Sequence, residues 1–318
     1  MTPAGLDQQA EHDHQAEWVK RPERSNMLML RVMSWISLTL GRPLSRGVLV
    51  GISLYFLLFS PRAREASRGY LQRALGRMPR LSEQFRHFHS FATCIHDRVY
   101  LLNGRYDLFD IEVHGREVFD AAYASGQGLF LMGAHMGSFE LVRAVGRQQP
   151  GLRVAMVMYE DNARQINAAL AAISPAAVQD IIPLGQLDSM LLVKARLDDG
   201  VVLGVLADRA LDTGPTLTLP FLGRPAAFPL GSMRLAAMLR RPVLFMTGLY
   251  LGGNRYAIHF EALADFTSIE RAARDAAIRQ AVSDYAACLE RHCRAAPFNW
   301  FNFFDFWQPP VGGGLNPP

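Results

Sequence analysis

The sequence predicts an α/β protein, with a mixed, mostly parallel sheet covered by helices and a helical membrane-associating segment ahead of it. Three observations carry this. From about residue 128 onward, short and nearly continuous apolar runs alternate with helical stretches, the pattern of a sheet buried on both faces. The last two runs are separated only by "GGNR", a hairpin signal that makes the sheet mixed rather than wholly parallel. Upstream, the window from Arg24 to Arg64 holds six arginines and no acidic residue around two apolar pieces.

Taken in order, residues 1–24 are polar with both charge signs. They read as a flexible tail without a cleavable signal pattern. "VMSWISLTLG" (32–41) and "GVLVGISLYFLLFSP" (47–61) follow, parted by Arg42, Pro43 and Arg46. A spanning helix wants roughly 20 apolar residues. The two pieces therefore read as an embedded or interfacial helical pair with arginines at the headgroups, with one tilted span or a buried soluble helix as the alternatives. Residues 62–100 stay helical and rich in arginine (Arg64, Arg68, Arg73, Arg77, Arg80, Arg86). Such a face suits anionic lipid, an acidic carrier protein, or plain solvation.

Strands are expected at 128–134, 153–159, 201–207, 242–251 and 256–263. Helices are expected at 138–147, 162–173, 187–199, 232–240 and 268–294. Seven aromatics lie between Phe298 and Trp307, which suits core packing, a membrane interface or the wall of an acyl channel.

Composition narrows the function classes. Half of the 318 residues are hydrophobic, 19% are charged, and the net charge is only +4. Lysine occurs only at Lys20 and Lys194, so nearly all positive charge is arginine, the residue suited to phosphate and carboxylate forks; a genome rich in G and C would also write it. Cys94, Cys288 and Cys293 have no metal spacing and leave an odd count, as expected in a reducing compartment without a disulfide framework. There is no Walker loop and no strand–helix G-x-G-x-x-G. No metal, nucleotide cofactor or nucleic-acid partner is therefore expected.

One histidine stands out. In "GLFLMGAHMGSFELVRA" (128–144), His135 falls just past the carboxyl end of a strand, where open α/β sheets put their sites. Gly137 and Ser138 make the turn, with Ser138 as helix N-cap, and Glu140 falls in the first helical turn. A carboxylate on one ring nitrogen fixes the tautomer and raises the basicity of the other, which is the base-plus-orienter half of a triad. No G-x-S-x-G elbow supplies a nucleophile, so the base would activate a substrate hydroxyl or amine; a structural histidine is the alternative. Asp208 and Arg209 end another strand and should face the same cleft, or else form a loop salt bridge. Arg224 and Arg234 are candidate anion holders, helped by backbone donors near Gly231 and Ser232, or are merely solvated.

These blocks together resemble the lipid A biosynthesis late acyltransferase family, within the lysophospholipid-acyltransferase-like superfamily. "GAHMGSFE" resembles the family's histidine block, and "LDDGVVLGVLADR" (197–209) its strand ending in aspartate. "LPFLGRPAAFPLGSMRLAAMLRRPVLF" (219–245) resembles its proline–phenylalanine–glycine block, and "APFNWFNFFDFW" (296–307) its aromatic ending. The resemblance covers roughly residues 27–307. It implies a glycerolipid-acyltransferase-like fold and acyl transfer from an acyl-carrier-protein or CoA thioester to a hydroxyl of a lipid or glycolipid. His135 would be the general base and Glu140 its orienter. It also implies a protein at the cytoplasmic face of the inner membrane. The expected organisation is a tail (1–24), a membrane-associating region (25–90), a catalytic domain (91–310) and a second tail (311–318). "MYEDNARQ" (158–165) departs from the family: Glu160 and Asp161 stand where many relatives carry arginine and proline. Acidic groups there suit a diphosphoryl-saccharide acceptor poorly. The pattern resembles a side branch associated with aryl-polyene-type pigment lipids. Rival readings are a lysophospholipid or amino-lipid acyltransferase, a thioester or lipid hydrolase, and a non-catalytic membrane lipid-binding protein.

Overall fold

The computed structural model describes residues 23–141, 146, 151–159, 181–184, 187–209 and 214–307. Among the described residues the first elements are α1 (Glu23–Phe59), α2 (Pro61–Leu75) and α3 (Leu81–Leu102). It continues with β1 (Asp110–His114), α4 (Arg116–Tyr123), β2 (Leu129–Gly133), β3 (Val154–Tyr159), β4 (Ile181–Leu184), α5 (Leu187–Asp198) and β5 (Val202–Leu206). The hairpin β6 (Thr216–Phe221) and β7 (Arg224–Pro229) follows, then α6 (Gly231–Leu239), β8 (Pro242–Gly252), β9 (Arg255–Asp265) and α7 (Arg274–Ala295).

Seven strands form one sheet in the order β1-β9-β8-β2-β5-β3-β4, and β6 and β7 form a separate ribbon. Only β8 and β9 pair antiparallel within the large sheet, across the GGNR turn; its other neighbours are parallel. Every residue of β2 is buried because the sheet is covered on both sides. Phe130 and Met132 join the core that includes Tyr285 and Leu289 of α7, while Leu129 and Leu131 join the opposite core with Tyr100 and Leu101 of α3. The period-two alternation of a strand divides these apolar side chains between two layers.

All five expected strands are present. Four others carried weak signals. β1 is half-exposed, β4 is short and contains Pro183, and the β6–β7 ribbon contains Pro220, Pro225 and Pro229, which a central strand would not tolerate. The ribbon turns at Leu222 and Gly223, both with positive φ (48° and 80°), the backbone of a tight hairpin turn. The helix expected at 162–173, half of that at 138–147, Glu160 and Asp161, residues 1–22 and the tail at 311–318 lie outside the described residues.

The two N-terminal apolar pieces form the two arms of α1, kinked at Gly41 (φ 77°, ψ 165°) two residues before Pro43. A left-handed glycine and a proline lacking its N–H break the ladder there. The second arm, Gly41–Phe59, is long and apolar enough to cross a membrane. Its polar side faces inward. Arg42 makes a bidentate pair with Asp97 of α3 (2.7 and 2.8 Å) and donates to the Gly253 carbonyl (2.7 Å). Ser45 meets His96 at 2.7 Å, and Arg46 reaches the Tyr250 hydroxyl at 2.9 Å. Leu44, Val48, Tyr55, Leu58 and Phe59 point outward and are exposed. An apolar outer face over a polar inner one is the reverse of a water-facing helix and suits contact with lipid.

Asp97 is fully buried, and Tyr256 also donates to it at 2.7 Å. Burial would raise its carboxyl, but the Arg42, His96 and Tyr256 hydrogen bonds hold it below its ordinary value. Removing one partner of a buried pair leaves an uncompensated charge. Arg42→Ala is accordingly expected to lower stability by about 3–5 kcal/mol, read from the denaturation midpoint of the full chain in detergent.

α3 runs through position 90, the expected boundary between the membrane-associating and catalytic regions, and packs on the sheet beyond it. Of the α2–α3 arginines, Arg73 stacks on Trp307 (4.4 Å), Arg86 on Phe298 (4.5 Å), and Arg77 pairs with Glu83.

Candidate active site

Strands β2 and β5 pair in parallel from Leu129↔Val202 to Gly133↔Leu206, a constant offset of 73 residues. Two residues beyond that ladder, the same offset brings His135 opposite Asp208. The site is therefore fixed by strand register. Both strands leave the sheet at their carboxyl ends and deliver His135 and Asp208 to one level.

The Nδ1 of His135 lies 2.7 Å from Oδ1 of Asp208, and the His135 backbone N–H donates to Oδ2 at 3.1 Å. Trp300 Nε1 (3.1 Å) and Asn302 Nδ2 (3.0 Å) donate to the same oxygen. Burial alone would raise the Asp208 carboxyl, but attraction to His135 and its hydrogen bond, aided by Arg209 and Asn302, hold it well below the ordinary carboxylate range. Four donors on one buried carboxylate fix its orientation and its charge. His135 itself is partly open, with 29% of its side chain exposed.

The carboxylate on Nδ1 is that of Asp208, where Glu140 was expected. Glu140, almost buried, stands 3.8 Å from Arg98 of α3 in an ion pair. Helix begins at residue 139, after the turn at Gly137 and Ser138. Gly137 has φ +64°, and a Cβ there would sit 1.9 Å from the Gly248 carbonyl oxygen. The close approach lets the Ser138 N–H donate to that oxygen at 2.7 Å.

The aromatic ending closes the other side. Gly137 donates to the Asn299 carbonyl (2.8 Å) and Phe301 donates to the His135 carbonyl (2.7 Å), so segment 299–302 is sutured to the histidine loop. Asn299 also bonds both backbone groups of Tyr250. Trp300, Asn299 and Asn302 are site-building residues that sequence reasoning missed. The available signal was two asparagines inside an otherwise aromatic run, both buried.

A cavity of about 460 Å³ opens at His135. Its lining includes Gly137 and Ser138, the aromatics Phe91, Phe301, Phe303 and Phe304, and Arg98 and Arg209. Arg209 is steadied by its Nε–H to Asn302 Oδ1 (2.8 Å) and sits over Phe304 (5.4 Å). Arg224 and Arg234 are exposed and are not among the residues lining this cavity. Arg224 lies toward Arg73 on the β6–β7 ribbon.

A partly open histidine held by a buried carboxylate at the mouth of an aromatic-walled cavity has the geometry of a general base. A family model for bacterial lipid A biosynthesis acyltransferases matches residues 22–308. The chain belongs to that family. Membership makes the chain an acyltransferase, of the lipid A biosynthesis type. The match runs from the start of α1 to the end of the aromatic segment, so the family spans both the helical arm and the sheet. Among curated proteins no relative matches.

Proposed function

We propose that the protein transfers a fatty or aryl-polyene-type acyl group from an acyl-carrier-protein or CoA thioester to a hydroxyl of a lipid or glycolipid, working at the cytoplasmic face of the inner membrane. The observation that carries this reading is the His135–Asp208 pair, 2.7 Å apart at the mouth of an aromatic-lined cavity.

Asp208 holds the proton on Nδ1, which leaves the lone pair on Nε2 for the acceptor hydroxyl. As the hydroxyl oxygen attacks the thioester carbonyl, Nε2 takes its proton and Asp208 stabilises the imidazolium. Collapse of the tetrahedral adduct breaks the carbon–sulfur bond, and the departing thiolate takes the proton back from Nε2. Nothing is oxidised or reduced, and no cofactor is required. Arg98 and Arg209 bring positive charge to the cavity, suited to the developing oxyanion or to a phosphate of either substrate. Glu140 then has the task of holding Arg98. The aromatic walls support a flat or conjugated chain as well as a saturated one. The outward apolar face of α1 supports placement at a lipid surface.

The test is reconstitution of the purified full chain in detergent with acyl-carrier-protein and acyl-CoA thioesters and total native lipid, using His135→Ala as the inactive control. Mass spectrometry should find a lipid that gains one acyl mass for each free thiol released, with wild type only. Free fatty acid without acylated lipid would instead identify a hydrolase. Acylation of a lysophospholipid or amino-lipid alone would move the acceptor class. Bound lipid with no turnover would leave only a binding role.

A further inference from the structure

Away from the acyl-transfer site, on the face of the sheet covered by α7, sits a second cluster of ligand-type side chains. Cys288 and His292 lie four residues apart on α7 and so share one helix face. They meet Glu261 on β9, and the donor atoms of all three lie within 4.8 Å of one another. His292 Nε2 is 2.6 Å from Glu261 Oε1, and its ring stacks on Phe245 (5.2 Å). We propose that Glu261, Cys288 and His292 form a binding site for a borderline-soft divalent metal ion, zinc above all, which fastens α7 to β9.

The donor set argues for the class of ion. Thiolate, imidazole and carboxylate together suit zinc, and three protein ligands plus water complete its tetrahedron. Calcium and magnesium would want oxygen ligands throughout. Tetrahedral ligation would spread the nitrogen–oxygen pair to about 3.3 Å, a shift of under about 1 Å from the hydrogen-bonded spacing. Burial lowers the His292 imidazole against the pull of Glu261, which favours the neutral form that can ligate. Burial and Glu261 keep the Cys288 thiol protonated, so the ion takes the place of that proton, which leaves to solvent. Glu261 is 35% exposed on its side chain, which gives the ion an entry path.

Arg291 occupies that entry. It pairs with Glu261 and donates to Cys288 Sγ at 3.3 Å. Its side chain is 57% exposed and free to swing into water, but its charge opposes a cation. This makes the proposal separable from the bland reading, in which the cluster is only a helix–sheet ion pair. Spacing along the chain hid the set, because Glu261 and Cys288 are 27 positions apart on different elements.

The full chain in detergent, treated with chelator, would be titrated with cobalt(II) and then zinc(II). The expected result is an intense thiolate-to-cobalt absorption, bleached by zinc and lost in Cys288→Ser. Zinc should also raise the melting temperature of wild type but not of Cys288→Ser. Arg291→Gln should tighten zinc binding roughly five- to ten-fold, the removal of one like charge at close range. It keeps all three ligands, so it decides the matter even where Cys288→Ser fails to fold. The proposal is overturned by absence of the absorption in wild type, by its persistence in a folded Cys288→Ser chain, or by Arg291→Gln binding zinc no better than wild type.

Discussion

Asp208→Asn is expected to lower kcat by about 10² to 10⁴-fold while the chain stays folded and KM changes little. The amide preserves shape but cannot stabilise an imidazolium. It can also turn its NH₂ toward Nδ1, which would put the proton on Nε2, where it blocks attack. Trp300 and Asn302 both donate to Oδ2, so the surrounding donors favour keeping an oxygen there. Circular dichroism and substrate binding check the fold, and steady-state kinetics read the split between kcat and KM. Glu140→Gln is the companion variant. With Asp208 as orienter it should lose less in kcat and behave like Arg98→Gln, its ion-pair partner. Equal losses in Asp208→Asn and Glu140→Gln, with Arg98→Gln near wild type, would return the orienting role to Glu140.

The pH dependence follows from the same pair. The Asp208 carboxyl is depressed in the folded chain relative to an unfolded value near about 3.9, so its contribution to stability is present above that value. It is lost only as pH falls through the lower folded value. Between pH 5 and 8 the carboxylate stays ionised, and any acid limb in the rate over that range belongs to another group.

Gly137→Ala is the second large effect. The new methyl carbon would stand 1.9 Å from the Gly248 carbonyl oxygen, and backbone cannot yield as a flexible side chain can. The left-handed backbone itself costs an L-residue about 1–2 kcal/mol before any collision is relieved. Relief means moving 136–138 away from β8. That breaks the Ser138 bond to Gly248 and shifts His135 against Asp208. A displacement near 1 Å can cost about 10²-fold in rate. The expected outcome is a lowered melting temperature together with a fall in kcat of at least that size. A variant with wild-type stability and rate would mean that the loop is looser than its contacts imply.

How far the sequence reveals this molecule depends on how local each signal is. "LFLMG" is legible as a buried strand because every one of its residues is apolar, and "GGNR" is legible as a hairpin. β1 and the proline-bearing β4, β6 and β7 are not, since edge and ribbon strands lack that continuous pattern. His135, Asp208 and Arg209 are each visible as polar residues ending apolar runs. Their partnership is not, because it rests on a pairing 73 residues apart. Glu140 attracted the orienting role by nearness along the chain. Asn299 and Asn302 are visible only as two polar residues in an aromatic run, and what they and Trp300 bond to is set when that run folds back over the histidine loop.

The dependence on register bears on which changes of chain length the protein tolerates. One residue added within 129–135 would slide His135 about 3.3 Å along its strand and turn its neighbour's side chain toward Asp208 instead. The same addition within 202–208 would do so from the other side, while a matched pair of additions would put the two groups level again. Lengthening the connections that lie outside both strands leaves the two groups level. Changes of length can therefore be absorbed in the loops, while the two runs that carry His135 and Asp208 must keep count with each other.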